Sequence, residues 1–142
     1  MPSKPRVLIV EARFYEELAD FLKAGAIDAL RKAGAVYEVM AVPGALEIPP
    51  AIKFAKDHFD GFVALGCVLR GETSHYDIVC NESARGLMDL AVHYDLAIGN
   101  GILTCETEAQ ALERADPARM NKGGGTVEAV LRLLEVRKGF LS

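Results

Sequence analysis

Four short apolar runs divide this chain, and between them apolar residues recur at three- and four-residue steps. Val7-Leu8-Ile9-Val10 is the first run, uninterrupted by polar residues as expected of a strand covered on both faces. Residues 11–15 read as its exit loop. Leu18, Phe21, Leu22, Ala26, Ala29, Leu30 and Ala33 then form one helical stripe, with Gly34 as its stop. Phe14 lies before that stripe and is expected to be exposed at the tip of the first strand, where an aromatic can stack on a ring. Residues 36–42 predict a second strand, and the proline-rich stretch from Pro43 to Pro50 turns into a helix reaching about residue 58. Residues 61–68 form the third run.

A long helix over 76–94 is expected to turn Val79, Ala84, Leu87, Met88, Ala91 and Val92 toward the interior. Residues 97–104 predict a glycine-rich fourth strand, and glycine inside a strand marks a close approach by a ligand or another backbone. A short helix over 106–115 follows, broken by residues 116–125. The last helix spans 126–138 with Val127, Val130, Leu131 and Leu134 on its inner face. The triplet Gly123-Gly124-Gly125 carries no Walker pattern and reads as a flexible linker.

Strands alternating with helices specify a parallel sheet with helices on both faces and right-handed crossovers, an α/β fold. Ligands of such sheets gather beyond the carboxyl ends of the strands. The loops after the four runs should therefore share one edge.

Composition narrows the possibilities. A chain of 142 residues is read as one domain, preceded by a flexible tail over residues 1–5. Apolar residues make up 51% and mean hydropathy is +0.16, which suits both a sheet buried on two faces and contact between subunits. The net charge of −4 is spread along the chain without a basic stripe, which argues against nucleic acid as a partner. No apolar run approaches the ~20 residues of a membrane span, and the expected location is cytoplasmic. Three widely spaced cysteines, Cys67, Cys80 and Cys105, fit neither a disulfide framework nor a zinc site and read as buried thiols.

The candidate chemistry concentrates after the third strand. Arg70, Glu72, Thr73, His75 and Asp77 crowd one connection that begins as a strand and ends as a helix. Gly71 permits a tight turn, and Thr73 or Ser74 can cap the helix amides. Helix-start amides bind phosphate, and a histidine beside a phosphate can carry protons. Against this stands the plain alternative of a capped helix start with a solvated histidine. Glu47 has a structural alternative too, as a first-turn carboxylate favoured by the helix dipole.

Three motifs occur in order: Pro43-Gly44-Ala45-Leu46-Glu47-Ile48-Pro49, then Gly66-x-Val68-Leu69-Arg70-Gly71-Glu72-Thr73-x-His75-Tyr76-Asp77, then Gly101-Ile102-Leu103-Thr104. With Gln110-Ala111-Leu112-Glu113-Arg114-Ala115 and Asn121-Lys122-Gly123 after them, the chain resembles the lumazine synthase family from Arg6 almost to its end. The resemblance implies a flavodoxin-like three-layer sandwich around a four-stranded parallel sheet. It implies condensation of 5-amino-6-ribitylaminouracil with 3,4-dihydroxy-2-butanone 4-phosphate, giving 6,7-dimethyl-8-ribityllumazine, phosphate and water, without a metal or organic cofactor. His75 matches the proton-transfer histidine, and Arg114 the arginine that meets the phosphate from an adjacent subunit. Phe14 matches the aromatic that stacks on the pyrimidine. Ala45, Leu46 and Glu47, with Cys67, Val68 and Leu69, match segments lining the pyrimidine and ribityl positions. Glu72 and Thr73 match the phosphate turn, and Lys122 a lysine near the pyrimidine.

Asn100 departs from the pattern, standing where many members carry a phenylalanine facing the neighbour's pyrimidine. The stretch 116–120 differs from the glycine-rich version of shell-forming members, and the segment before Arg6 is short; both favour a homopentamer, with riboflavin synthase as a further partner. Two rival readings stand beside the synthase. One is a flavin- or lumazine-binding or shell-forming paralogue with little catalysis, the other a phosphohydrolase using His75.

Overall fold

Strand β1 (Arg6–Ala12) runs past its apolar core and carries Glu11 and Ala12 into the sheet, so the exit loop is shorter than the apolar pattern predicts. The computed structural model describes residues 4–141; the expected tail falls largely on residues 1–3, which lie outside the described part. Helix α1 (Glu16–Lys32) follows, then strand β2 (Val36–Val42). A single 3-10 turn over Ala45–Glu47 leads into helix α2 (Ile48–Ala55). Strand β3 (Gly61–Leu69), helix α3 (His75–Tyr94), strand β4 (Ala97–Cys105), helix α4 (Glu108–Ala115) and helix α5 (Lys122–Leu141) complete the described chain.

All neighbouring strands pair in parallel, in the order β2-β1-β3-β4. The chain steps one way from β1 to β2, then crosses back over β1 to β3. That reversal sends the later crossover helices to the other face of the sheet. Val7, Ile9, Val63 and Leu65 therefore meet Leu22 and Leu30 of α1 and Val127 and Val130 of α5. Leu8, Val10, Phe62 and Ala64 meet Ile48 and Ile52 of α2 and Val79 and Leu87 of α3. Each large side chain buried there contributes roughly 1.5–3 kcal/mol. This is the three-layer arrangement expected from the alternating pattern.

Gly34 ends α1 as predicted, at φ 72°, with its amide donating to the Arg31 carbonyl and the Ala35 amide to that of Leu30. That is a Schellman stop, which a residue with a Cβ adopts only at a cost.

Two expectations are overturned. The glycine triplet is no linker: α5 begins at Lys122, and Gly123 and Gly124 are buried in its first turn against α1. Asn121, at φ 51°, caps this start by accepting a hydrogen bond from the Gly124 amide at 3.3 Å. Absence of side chains, read from the sequence as flexibility, here lets two helices touch backbone to backbone. The inner face of α3 is also rotated from the predicted one. Val79, Ser83 and Leu87 are buried, while Ala84 is exposed and Met88 and Val92 are 63% and 72% exposed. The cause is the close approach of α3 to α2, where a Cβ on Gly86 would stand 3.0 Å from the Pro49 ring. Ser83 is tolerated inside because its hydroxyl donates to the Val79 carbonyl at 2.6 Å.

Candidate active site

The carboxyl ends of the strands are uneven. β1 pairs with β3 only as far as Glu11 and Leu65, whereas β3 continues beside β4 to Leu69 and Cys105. The last part of β3 therefore overhangs the end of β1, at the place where the strand order reverses. A cavity of about 420 Å³ fills that notch, lined by the ends of β1 and β3, the loop after β2 and the start of α3.

Phe14, Ala45, Leu46, Glu47, Cys67, Val68, Leu69 and His75, singled out in the sequence, all line it. Phe14 is 77% exposed, as its place before the helical stripe predicted, and meets Tyr15 edge to face at 5.0 Å between ring centroids. Ala45 is buried and Leu46 partly exposed in the 3-10 turn. Glu47 occupies the N-cap position of α2 without a side-chain cap bond, and a Cβ on Gly44 would stand 3.2 Å from its Oε1, so the carboxylate folds over a glycine that leaves it room. Cys67, Val68 and Leu69 are half-buried at the end of β3. Burial, then the neighbouring Cys105, Glu108 and Cys80, pushes the Cys67 thiol up to about 12. It is a neutral, weakly polar part of the wall. Burial first, with Cys67 and Glu108 adding, likewise raises the Tyr15 phenol.

Glu72 and Thr73 sit on the exposed turn before α3, and His75 is the first residue of that helix. Of the two expected caps, Thr73 is used: its hydroxyl accepts from the His75 amide at 3.3 Å, while Ser74 makes no side-chain cap bond. Arg70 braces the turn from outside. Its Nε donates to Glu106 at 2.7 Å, its guanidinium lies 4.3 Å from the centroid of the Tyr76 ring, and its amide donates to the Cys105 carbonyl. The turn is thereby tied to the loop after β4. Among the described residues, no group of three His, Cys, Asp or Glu side chains is placed to hold a metal ion.

This cavity, with an aromatic at its mouth and a histidine at a helix start, is joined by strong similarity to known proteins. The family model for 6,7-dimethyl-8-ribityllumazine synthase matches residues 4–138. A protein of that name from Bartonella tribocorum is 59% identical over 143 residues, covering 99% of this chain and 95% of the relative. Another from Agrobacterium fabrum is 56% identical over 143 residues, covering 96% and 97%. The chain belongs to the 6,7-dimethyl-8-ribityllumazine synthase family.

Five residues matched to the family pattern stand outside the cavity's walls within one chain: Glu72 and Thr73 on the adjoining turn, and Arg114, Lys122 and Asn100. Arg114 is held on α4, whose start is set by Thr107 accepting from the Gln110 amide at 3.2 Å. Its Nη1 donates to the Gln110 carbonyl at 3.1 Å and approaches the Cys105 sulfur at 3.9 Å. Lys122 opens α5, where its carbonyl accepts from the Thr126 hydroxyl. Asn100 is exposed on β4, its Oδ1 accepting from the Ile102 amide at 3.0 Å.

The cavity also contains residues that sequence reasoning passed over: Ala12, Tyr15, Gly44 and Val79. Tyr15 was legible as the neighbour of Phe14. More consequential is the ion cluster directly behind the wall, where Glu11 is buried and Arg13 contacts three carboxylates. A lone acid at the end of the run Val7-Leu8-Ile9-Val10 was the signal for it.

Proposed function

We propose that this protein catalyses the condensation of 5-amino-6-ribitylaminouracil with 3,4-dihydroxy-2-butanone 4-phosphate to 6,7-dimethyl-8-ribityllumazine, releasing phosphate and water. The observation that carries the reading is one cavity walled by both motif segments, Ala45 to Glu47 and Cys67 to Leu69, with Phe14 at its mouth and His75 at its edge. The name borne by relatives that match nearly the whole chain agrees with it.

In this reading the pyrimidine stacks on the exposed ring of Phe14, and the ribityl chain lies along the ends of β3 and the 3-10 turn. The butanone phosphate occupies the turn at Glu72 and Thr73, beside the start of α3. The 5-amino group attacks the ketone and loses water to form an imine. Phosphate is then eliminated, and the ribitylamino nitrogen closes the ring with loss of a second water. His75 carries protons between these steps. Both substrates are reactive, so holding them together, with effective molarities that reach ~10⁵–10⁸ M, supplies more of the acceleration than acid–base catalysis at ~10²–10⁴-fold.

The reading also requires a second subunit. Arg114, Lys122 and Asn100 stand outside the cavity of their own chain, and α3 leaves Ile78, Met88 and Val92 exposed. A ring of subunits, taken as a pentamer in the cytoplasm that passes its product to riboflavin synthase, would bring those residues to a neighbour's cavity. There Arg114 pairs with the departing phosphate.

Asn100 favours a second reading, a lumazine- or flavin-binding paralogue with little catalysis, because its amide oxygen is committed to the Ile102 backbone and it offers no ring. The test follows phosphate and lumazine chromophore together, with both substrates and with each alone. Equal appearance of the two supports the synthase. Chromophore binding without turnover supports the paralogue, and phosphate release without the uracil supports a phosphohydrolase.

A further inference from the structure

A carboxylate at the end of a buried strand is costly unless it is paired and hydrogen-bonded. Glu11 is only 3% exposed. On β1, Val7, Ile9 and Glu11 point toward α1, while Leu8, Val10 and Ala12 point toward the cavity face. Glu11 is met from that side by Arg13 Nη1 at 2.7 Å and by Lys23 Nζ of α1 at 3.5 Å. Arg13 does not stop at this pair. Its other nitrogens bond Glu16, at 2.7 Å, and Asp20, both in the first turns of α1. Hydrogen bonds donated to Asp20, then to Glu16 and Glu11, hold the guanidinium above its ordinary pKa, so it stays charged.

One side chain thus joins the end of β1 to the start of α1, across the segment that carries the cavity wall. Ala12, Phe14 and Tyr15 flank Arg13 in sequence and all line the cavity, whereas Arg13 itself does not. Phe14 is largely exposed, and its ring meets only that of Tyr15 among the aromatic contacts of the described residues. An apolar pair in place of Glu11 and Arg13 would fill the space but could not fix the angle at which the chain leaves the strand, since only the planar fork engages several carboxylates in set directions.

We propose that Arg13, anchored on buried Glu11 and on Glu16 and Asp20, is a positioning residue that holds the 12–15 wall in the shape that stacks the substrate's heteroaromatic ring. This deepens the synthase reading and rests on it. The clamp acts on ring binding through Phe14 and not on the phosphate turn, which follows another strand, β3.

The test compares wild type, Arg13→Met, Arg13→Lys and the double variant Glu11→Leu with Arg13→Met, which removes both charges together. Steady-state turnover is combined with fluorescence titration of the lumazine product, a probe that needs no catalysis. The expected result is a roughly tenfold rise in the KM of the pyrimidine substrate and in the lumazine Kd for Arg13→Met. Change in kcat and in the KM of the butanone phosphate should be small, and Arg13→Lys should recover part of the loss. The double variant should regain thermal stability over Arg13→Met while its lumazine binding stays weak. Recovery of binding together with stability, or unchanged binding in Arg13→Met, overturns the positioning role. Wild-type protein that binds lumazine without forming it overturns the synthase reading and leaves the titration as the test of the clamp.

Discussion

A Cβ built on Gly123 would stand 2.1 Å from the carbonyl oxygen of Leu22, so α5 can lie on α1 only because this position has no side chain. Two turns of backbone meet where a loop was expected. Gly125 lies two residues on in the same helix, is exposed, and has nothing within 4 Å of a Cβ. The two glycines should respond oppositely to the same change. Gly123→Ala is expected to lose about 1–3 kcal/mol through backbone displacement, and Gly125→Ala to gain about 0.4–1 kcal/mol through helix propensity and a less flexible unfolded chain. Denaturant unfolding at fixed protein concentration measures both, and destabilisation by both would refute the packing account.

His75→Ala should lower kcat by roughly 10²-fold or less and leave measurable lumazine formation, since proton transfer is the smaller share of the acceleration. Turnover at the wild-type rate across neutral pH would remove His75 from the chemistry. Arg114→Ala should raise the KM of the butanone phosphate while sparing that of the pyrimidine, because its guanidinium is assigned to phosphate oxygens. An equal effect on both substrates would instead indicate a structural role beside Cys105.

Stability should fall in alkali through the pocket cysteine. The folded protein holds the Cys67 proton up to about 12, mainly because burial disfavours the thiolate, while the unfolded chain releases it near ~8.5–9. The unfolded state then binds fewer protons than the folded one, so this contribution is complete below about pH 8.5 and declines as pH rises toward 12. Cys67→Ala should flatten that decline between pH 8.5 and 10.5 in chemical denaturation, and an unchanged slope would assign it to other groups. The neutral thiol should also alkylate slowly with iodoacetamide at pH 8 in folded protein.

The exposed stripe of α3 should govern assembly. Met88→Glu places a charge on a surface that carries Val92 and Ile78 and is expected to reduce the oligomer to smaller species, with loss of activity under the proposal that Arg114 and Lys122 serve a neighbour's cavity. Sedimentation and turnover measured on the same samples test this. A monomeric, fully active variant would mean that each chain completes its own site.

Much of this was legible along the chain. The unbroken apolar runs at 7–10 and 62–65 read as strands with cover on two faces, and helical spacing from Leu18 to Leu30 identified the covering stripe. Phe14 was recognisable as exposed because it precedes that stripe. The cavity walls followed from a rule of parallel sheets, which gathers the loops after the strands at one edge. Met88 and Val92 were misread because apolar residues fit a helix's inner stripe whether the covering partner is its own sheet or another chain. Gly123 was misread because a glycine marks a close approach as readily as a flexible turn.

The sequence by itself determined the order of elements, the sheet class and the motif segments that wall the cavity, since these depend on local periodicity and on steric rules acting over a few residues. Only the tertiary structure decided which face of α3 is covered, that the glycine triplet opens a helix, and that Arg13 ties buried Glu11 to Glu16 and Asp20 behind the aromatic wall. Each of these rests on how closely two elements approach, and that distance is set by the packing of the whole core rather than by any stretch of chain.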